Sequence, residues 1–219
     1  AFHAKMVALV HFGRSGTGLL HSLFDGHPEV STLPSIYFSE YFDHSNWIKI
    51  IYGGWDEMVD RFMSIYEVLF DASSPVPVEG PSKKLIYDIG IKFGMANVGD
   101  QKIEVLRLDK IQFRKELKGL MACYDNLDAF LFFKLVHIAY DRANGDQKQK
   151  SIIFYHIHNP DTYAQLNFYR FSPNSKWVMM VREPIQSCES WLRVKFLKKD
   201  YSSVVTRIST MLFDIDKAV

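Results

Sequence analysis

Met6-Val-Ala-Leu-Val-His-Phe12 runs directly into Gly13-Arg-Ser-Gly-Thr-Gly-Leu-Leu20. The first stretch is apolar without regular alternation, the pattern of a strand buried on both faces of a parallel sheet. The glycines then break that pattern. Leu19, Leu20, Leu23 and Phe24 follow at helical spacing, and Gly26-His-Pro28 supplies a C-terminal cap. Strand, glycine turn and short helix are the opening of a βα unit.

The rest of the chain repeats the theme. Residues 47–70 have helical period, divided by Gly53-Gly54, and 73–84 read as a loop with three prolines. A short strand is expected near 85–91, helices over 109–120 and 127–143, and a polar turn at 144–150. Residues 152–156 form a short apolar strand, 162–171 a helix, and Trp177-Val-Met-Met-Val181 a second buried strand. Pro184 stands at the favoured first position of a helix reaching about residue 198, with another from 202 onward. Helices alternating with buried strands predict an α/β fold: one parallel sheet with helices on both faces.

Composition narrows the classes. With 219 residues, 47% of them apolar, the chain suits one domain over 1–219 with a single sizeable core. A net charge of +1 gives no bulk signal for nucleic acid or an anionic membrane, so anion binding must come from local placement of basic groups. Cys123 and Cys188 are distant and lack metal-ligand spacing, which points to a reducing compartment, with Cys188 as a small buried hydrophobe. No apolar run approaches the ~20 residues of a membrane span, and the first residues lead into a strand without a signal-peptide layout. The aromatic segments 37–42, 130–133 and 168–171 read first as core packing and second as an apolar acceptor pocket.

The strongest chemical signal is the turn after the first strand. Its glycines let the backbone approach an anion without a Cβ in the way. The amides at the start of the next helix then face that anion, and the helix dipole adds attraction. Ser15 and Thr17 add hydroxyl donors, and Arg14 a fixed positive fork. A nucleoside-triphosphate loop requires Gly-x4-Gly-Lys-Ser/Thr. Gly13 and Gly18 meet the spacing, but Leu19 and Leu20 replace the lysine and the magnesium-binding hydroxyl. ATP or GTP hydrolysis is therefore disfavoured, and a substrate that needs no metal fits better.

With Asp25-Gly-His-Pro-Glu-Val30 behind it, this loop resembles the 5′-phosphosulfate loop of sulfotransferases that use 3′-phosphoadenosine 5′-phosphosulfate (PAPS). A second match follows the strand at 177–181. Arg182 stands at its end and Ser190 eight residues later, as in the family's 3′-phosphate motif. The resemblance covers roughly residues 5–40 and 150–195. It implies a P-loop-like, three-layer sulfotransferase architecture. It implies PAPS as donor, held by Arg14, Ser15, Gly16, Thr17, Gly18 and Leu19 at one end and by Arg182 and Ser190 at the other. The product would be 3′-phosphoadenosine 5′-phosphate (PAP), with no metal required.

Sulfuryl transfer also needs a base near the acceptor hydroxyl. In Tyr155-His-Ile-His-Asn-Pro160, His158 stands two residues before proline, where the resemblance places a catalytic histidine. His156 shares its strand parity and remains an alternative, as does Glu40. His137, inside an apolar helical stretch, reads as a core histidine. Arg14 would bind the sulfonate oxygens and stabilise the departing phosphate.

The family's Gly-rich, basic C-terminal segment has no counterpart before Val219. That implies a sulfotransferase domain whose C-terminal portion is missing or lies outside this sequence. Expected acceptors are small molecules, lipids, polyketides or carbohydrates, carrier-bound forms included. The expected location is cytoplasmic, with a Golgi-lumenal domain freed of its anchor as the alternative. Two other readings stay open: a P-loop kinase or NTPase, and a nucleotide-binding module without catalysis.

Overall fold

The computed structural model of the chain describes all residues except 1–3, 12–14, 34–37, 39–40, 72–74, 77–86, 89–100, 102, 159–161, 197–200 and 219. Strand β1 (Lys5–His11) is the centre of the fold. Ala8, Leu9 and Val10 are buried although they alternate between the two faces, as a strand sandwiched between layers requires. On one side β1 pairs in parallel with β5 (Ile152–His158), on the other with β6 (Lys176–Met180). Strand β2 (Val30–Thr32) pairs with the outer side of β5. The order is β2-β5-β1-β6, all parallel.

Helix α1 (Thr17–Phe24) connects β1 to β2 across one face. Leu9 and Phe154 from the strands meet Leu20 and Phe24 from α1, with Val30 and Met180 at the sides. Met6, Ala8, Val10, Ile153, Tyr155 and Ile157 point the other way, into a much larger core. That core is a helical block of α2 (His44–Ile51), α3 (Met58–Ile65), α4 (Lys110–Met121) and α5 (Ala129–Ala143). Asp43, Asp109 and Asp128 each accept hydrogen bonds from amides of the helix they precede, which fixes three of these N-termini. Buried phenols stitch the block together. Tyr41 donates to the Ala129 carbonyl at 2.8 Å, Tyr140 to Leu69 at 2.8 Å and Tyr155 to Phe38 at 3.0 Å.

Beyond β5, α6 (Thr162–Phe171) returns the chain to β6, and α7 (Pro184–Phe196) and α8 (Tyr201–Ala218) complete the described helices. The short strands β3 (Pro75–Val76) and β4 (Tyr87–Asp88) pair antiparallel with each other, apart from the main sheet.

The α/β class and the parallel sheet stand as expected. Gly53 and Gly54, both at positive φ, part α2 from α3 as expected. Several details differ. β5 extends to His158, two residues beyond expectation. Of the strand expected near 85–91, only Tyr87–Asp88 lies among the described residues, where it forms β4 and pairs with β3 rather than with the main sheet. β2 was not anticipated, since three residues are too few to show periodicity. Finally, the stretch read as a second buried strand is exposed at Trp177, Val178 and Met179. An apolar run signals membership in a sheet, but burial depends on cover; β6 is an edge strand whose only strand neighbour among the described residues is β1. Cys188 is half-buried rather than buried.

Candidate functional site

The parallel register fixes where the chain leaves the sheet. His11 lies beside His158 on one side and Met180 on the other, so β1, β5 and β6 end on one row. Open α/β sheets bind ligands along such carboxyl edges. The segments bearing the expected anion-binding residues therefore leave the same edge from neighbouring strands.

Ser15 is buried just ahead of α1. Gly16 has φ +92°, the left-handed region that glycine enters without penalty, and its carbonyl accepts the amides of Leu19 (3.0 Å) and Leu20 (3.3 Å). Met180 closes on this turn: a Cβ on Gly16 would stand 3.4 Å from its terminal methyl. The first turn of α1 carries no acidic residue to compete with a bound anion. Thr17 is half-buried, and Gly18 and Leu19 face solvent. Arg14 and Glu40 lie outside the described residues. His158 is placed as the last residue of β5, although its side chain is not described.

Arg182 follows β6 by two residues, is exposed, and donates from Nε to Gln186 Oε1 at 3.3 Å. The Glu183 carboxylate accepts the Gln186 amide at 2.8 Å and so caps the start of α7. Ser190, two turns into α7, is half-buried.

Sequence reasoning missed the polar cluster beside the turn. His156 Nε2 lies 2.5 Å from His21 Nδ1, and His21 Nε2 is 3.1 Å from Asp25 Oδ1. Thr32 donates its hydroxyl to the same Asp25 oxygen at 3.0 Å. The buried His11 ring meets His156 edge-on at 5.4 Å. Partial burial works against ionisation of Asp25, but His21 and Thr32 outweigh it and hold its carboxyl below the ordinary value. One signal was readable: His21 and Asp25 stand four apart, in the last turn of α1 and at its C-terminal cap. Their partner across the sheet was not. Among the described residues no group of three or more His, Cys, Asp or Glu side chains is arranged to hold a metal ion.

His137 is a core histidine, as expected. Burial pushes its pKa down to about 3, and Ser31 Oγ lies 2.9 Å from its Nδ1. The described aromatics of the three Phe/Tyr segments resolve mainly as core: Phe38, Tyr41, Phe42, Phe132, Phe133 and Phe168 are buried together. A cleft of about 270 Å³ lies elsewhere, between α4, α5 and the residues leading into β5, at the amino end of the sheet. Lys150 in its wall is held by Asp141, Asp146 and the His27 carbonyl, so this cleft is remote from the carboxyl-edge chemistry. No helix among the described residues is long and apolar enough to cross a membrane.

Comparison of the chain with family models, with curated proteins and with solved structures yields no match in any of the three.

Proposed function

We propose that this chain is a sulfotransferase that moves a sulfuryl group from PAPS to a hydroxyl acceptor. The observation that carries this reading is the common exit of two strand-to-helix turns. The Gly16 turn after β1 and the Arg182 turn after β6 leave adjacent parallel strands at one edge. A nucleotide with phosphates on both sides of its ribose suits two such anion sites.

In this reading the turn at 13–20 cradles the 5′-phosphosulfate through backbone amides, Ser15 and Thr17, with Arg14 on the sulfonate oxygens. Arg182 and Ser190 take the 3′-phosphate. The acceptor oxygen attacks sulfur in line, the bond from sulfur to the bridging phosphate oxygen breaks, and PAP leaves with that electron pair. The acceptor proton passes to a base: His158 at the end of β5, with His156 and Glu40 as alternatives. The acceptor class extends to small molecules, lipids and carbohydrates.

Isothermal titration with PAP against ATP tests the donor class. PAP should bind in preference, and Arg182→Ala should weaken it roughly ten- to a hundredfold, the span of one or two charge-assisted hydrogen bonds. Arg182 is exposed, so its loss should leave the melting temperature unchanged. A preference for ATP with magnesium-dependent turnover would instead support the kinase or NTPase reading.

A further inference from the structure

The polar cluster next to the anion turn has a chemistry that the transfer scheme does not use. Two imidazole nitrogens, His21 Nδ1 and His156 Nε2, face each other at 2.5 Å. Two lone pairs or two N–H groups would repel there, so one proton lies between them. Asp25, whose carboxyl is held ionised, stands against the outer nitrogen of His21. It favours a proton on that nitrogen. His21 then accepts from His156 through Nδ1, and the lone pair of the neutral chain is transmitted to Nδ1 of His156, on the sheet. A further proton makes the pair a shared cation with Asp25 as counter-ion.

The position matters as much as the chemistry. His21 is one helical turn beyond Thr17, where α1 begins, so about 6 Å of helix separates them. His156 packs against His11, the last residue of β1 before the turn. Charge on the pair therefore lies roughly one to two helical turns from an anion seated on that turn, on the side of the sheet covered by α1. Among the described residues, His11 from β1 and Asp25, which caps the end of α1, are titratable groups that face the pair. Thr32 from β2, Phe154 from β5 and Met180 from β6 also lie on this side and do not titrate. His158 follows on β5 with its side chain undescribed.

We infer that Asp25, His21 and His156 form a proton relay coupled to the anion turn: filling the turn with a sulfate or phosphate group draws a proton onto the imidazole pair, and losing the proton weakens anion binding. This rests on the reading of residues 13–20 as an anion site. His21 and Asp25 act here as positioning residues, through His156.

Inorganic sulfate is a suitable probe because its charge is constant between pH 5.5 and 8.5. Titration calorimetry in two buffers of different ionisation enthalpy counts the protons taken up, with PAP as a second ligand. For the unaltered chain, sulfate affinity should fall roughly tenfold between pH 6 and 8, with about half a proton taken up near the midpoint. His21→Gln should flatten the profile to within about twofold. Asp25→Asn, at a half-exposed side chain that folding tolerates, should move the midpoint to lower pH while sulfate still binds. Sulfate or PAP bound with the same proton count and pH profile in all three proteins would overturn the relay and leave the anion turn standing. Failure of both ligands to bind at any pH would overturn the relay and the sulfotransferase reading together.

Discussion

The two faces of the sheet are built on different terms. On the α2–α5 side, more than a dozen aromatic and aliphatic side chains interlock, with Phe133 touching Phe38, Tyr41, Phe42 and Tyr155. On the α1 side, the apolar contact is small, no residue of the helix is fully buried, and Leu19 and Leu23 are about 70% exposed. The histidine chain and the glycine turn both lie on this thinner side. The contrast separates two jobs. One face supplies the free energy of folding, and the other places polar groups where a dense core would exclude them.

The largest test of that division is Phe133→Ala. It should cost about 3–5 kcal/mol in urea denaturation, because a fully buried ring leaves a cavity ringed by other aromatics. A loss under about 1 kcal/mol would break the comparison at its stronger end.

A pH effect should come next, from His137 on the same dense face. Its folded pKa of about 3 is below the ordinary 6.5, so the unfolded chain binds the extra proton between those values. The stability it contributes is complete above pH 6.5 and is lost as pH falls toward 3. From pH 7 to pH 5 the loss should be about 2 kcal/mol, and His137→Gln should remove most of that dependence in chemical denaturation at the two pH values.

On the thin face, Gly16→Ala should cost about 1–2 kcal/mol, since φ +92° is unfavourable for any residue with a Cβ. Calorimetric melting reads this, and a neutral result would show that the turn relaxes freely. Leu23→Ala should change stability by less than about 0.5 kcal/mol in the same assay. A cost of several kcal/mol there would mean that α1 is packed far more heavily than its exposure indicates.

Much of the frame was legible beforehand. The apolar run at β1, the glycine turn and the start of α7 at Pro184 followed from period, punctuation and propensity, which act over a few residues. Helices α4 and α5 were placed within about two residues of their ends, because their apolar spacing spans several turns. β2 was not legible, because three residues carry no period. The exposure of β6 was not legible either, because Trp177-Val-Met-Met180 reads the same whether or not a layer covers it. For the site, the turn at 13–20 and the Arg182 step were visible as local motifs. Asp25, His21, His156 and His11 were not visible as a cluster, since 135 residues separate His21 from His156.

Alone, then, the sequence determined the βα opening, the position of Arg182 in the turn after a strand and the absence of the lysine that a triphosphate loop needs. These depend on the identity and spacing of near neighbours. Tertiary structure decided that β5 inserts between β1 and β2, so that His156 arrives beside α1. It also decided that most of the described aromatics in those segments become core and that β6 is left at an edge. Such outcomes depend on which distant surfaces exclude water together, and no local pattern encodes that choice.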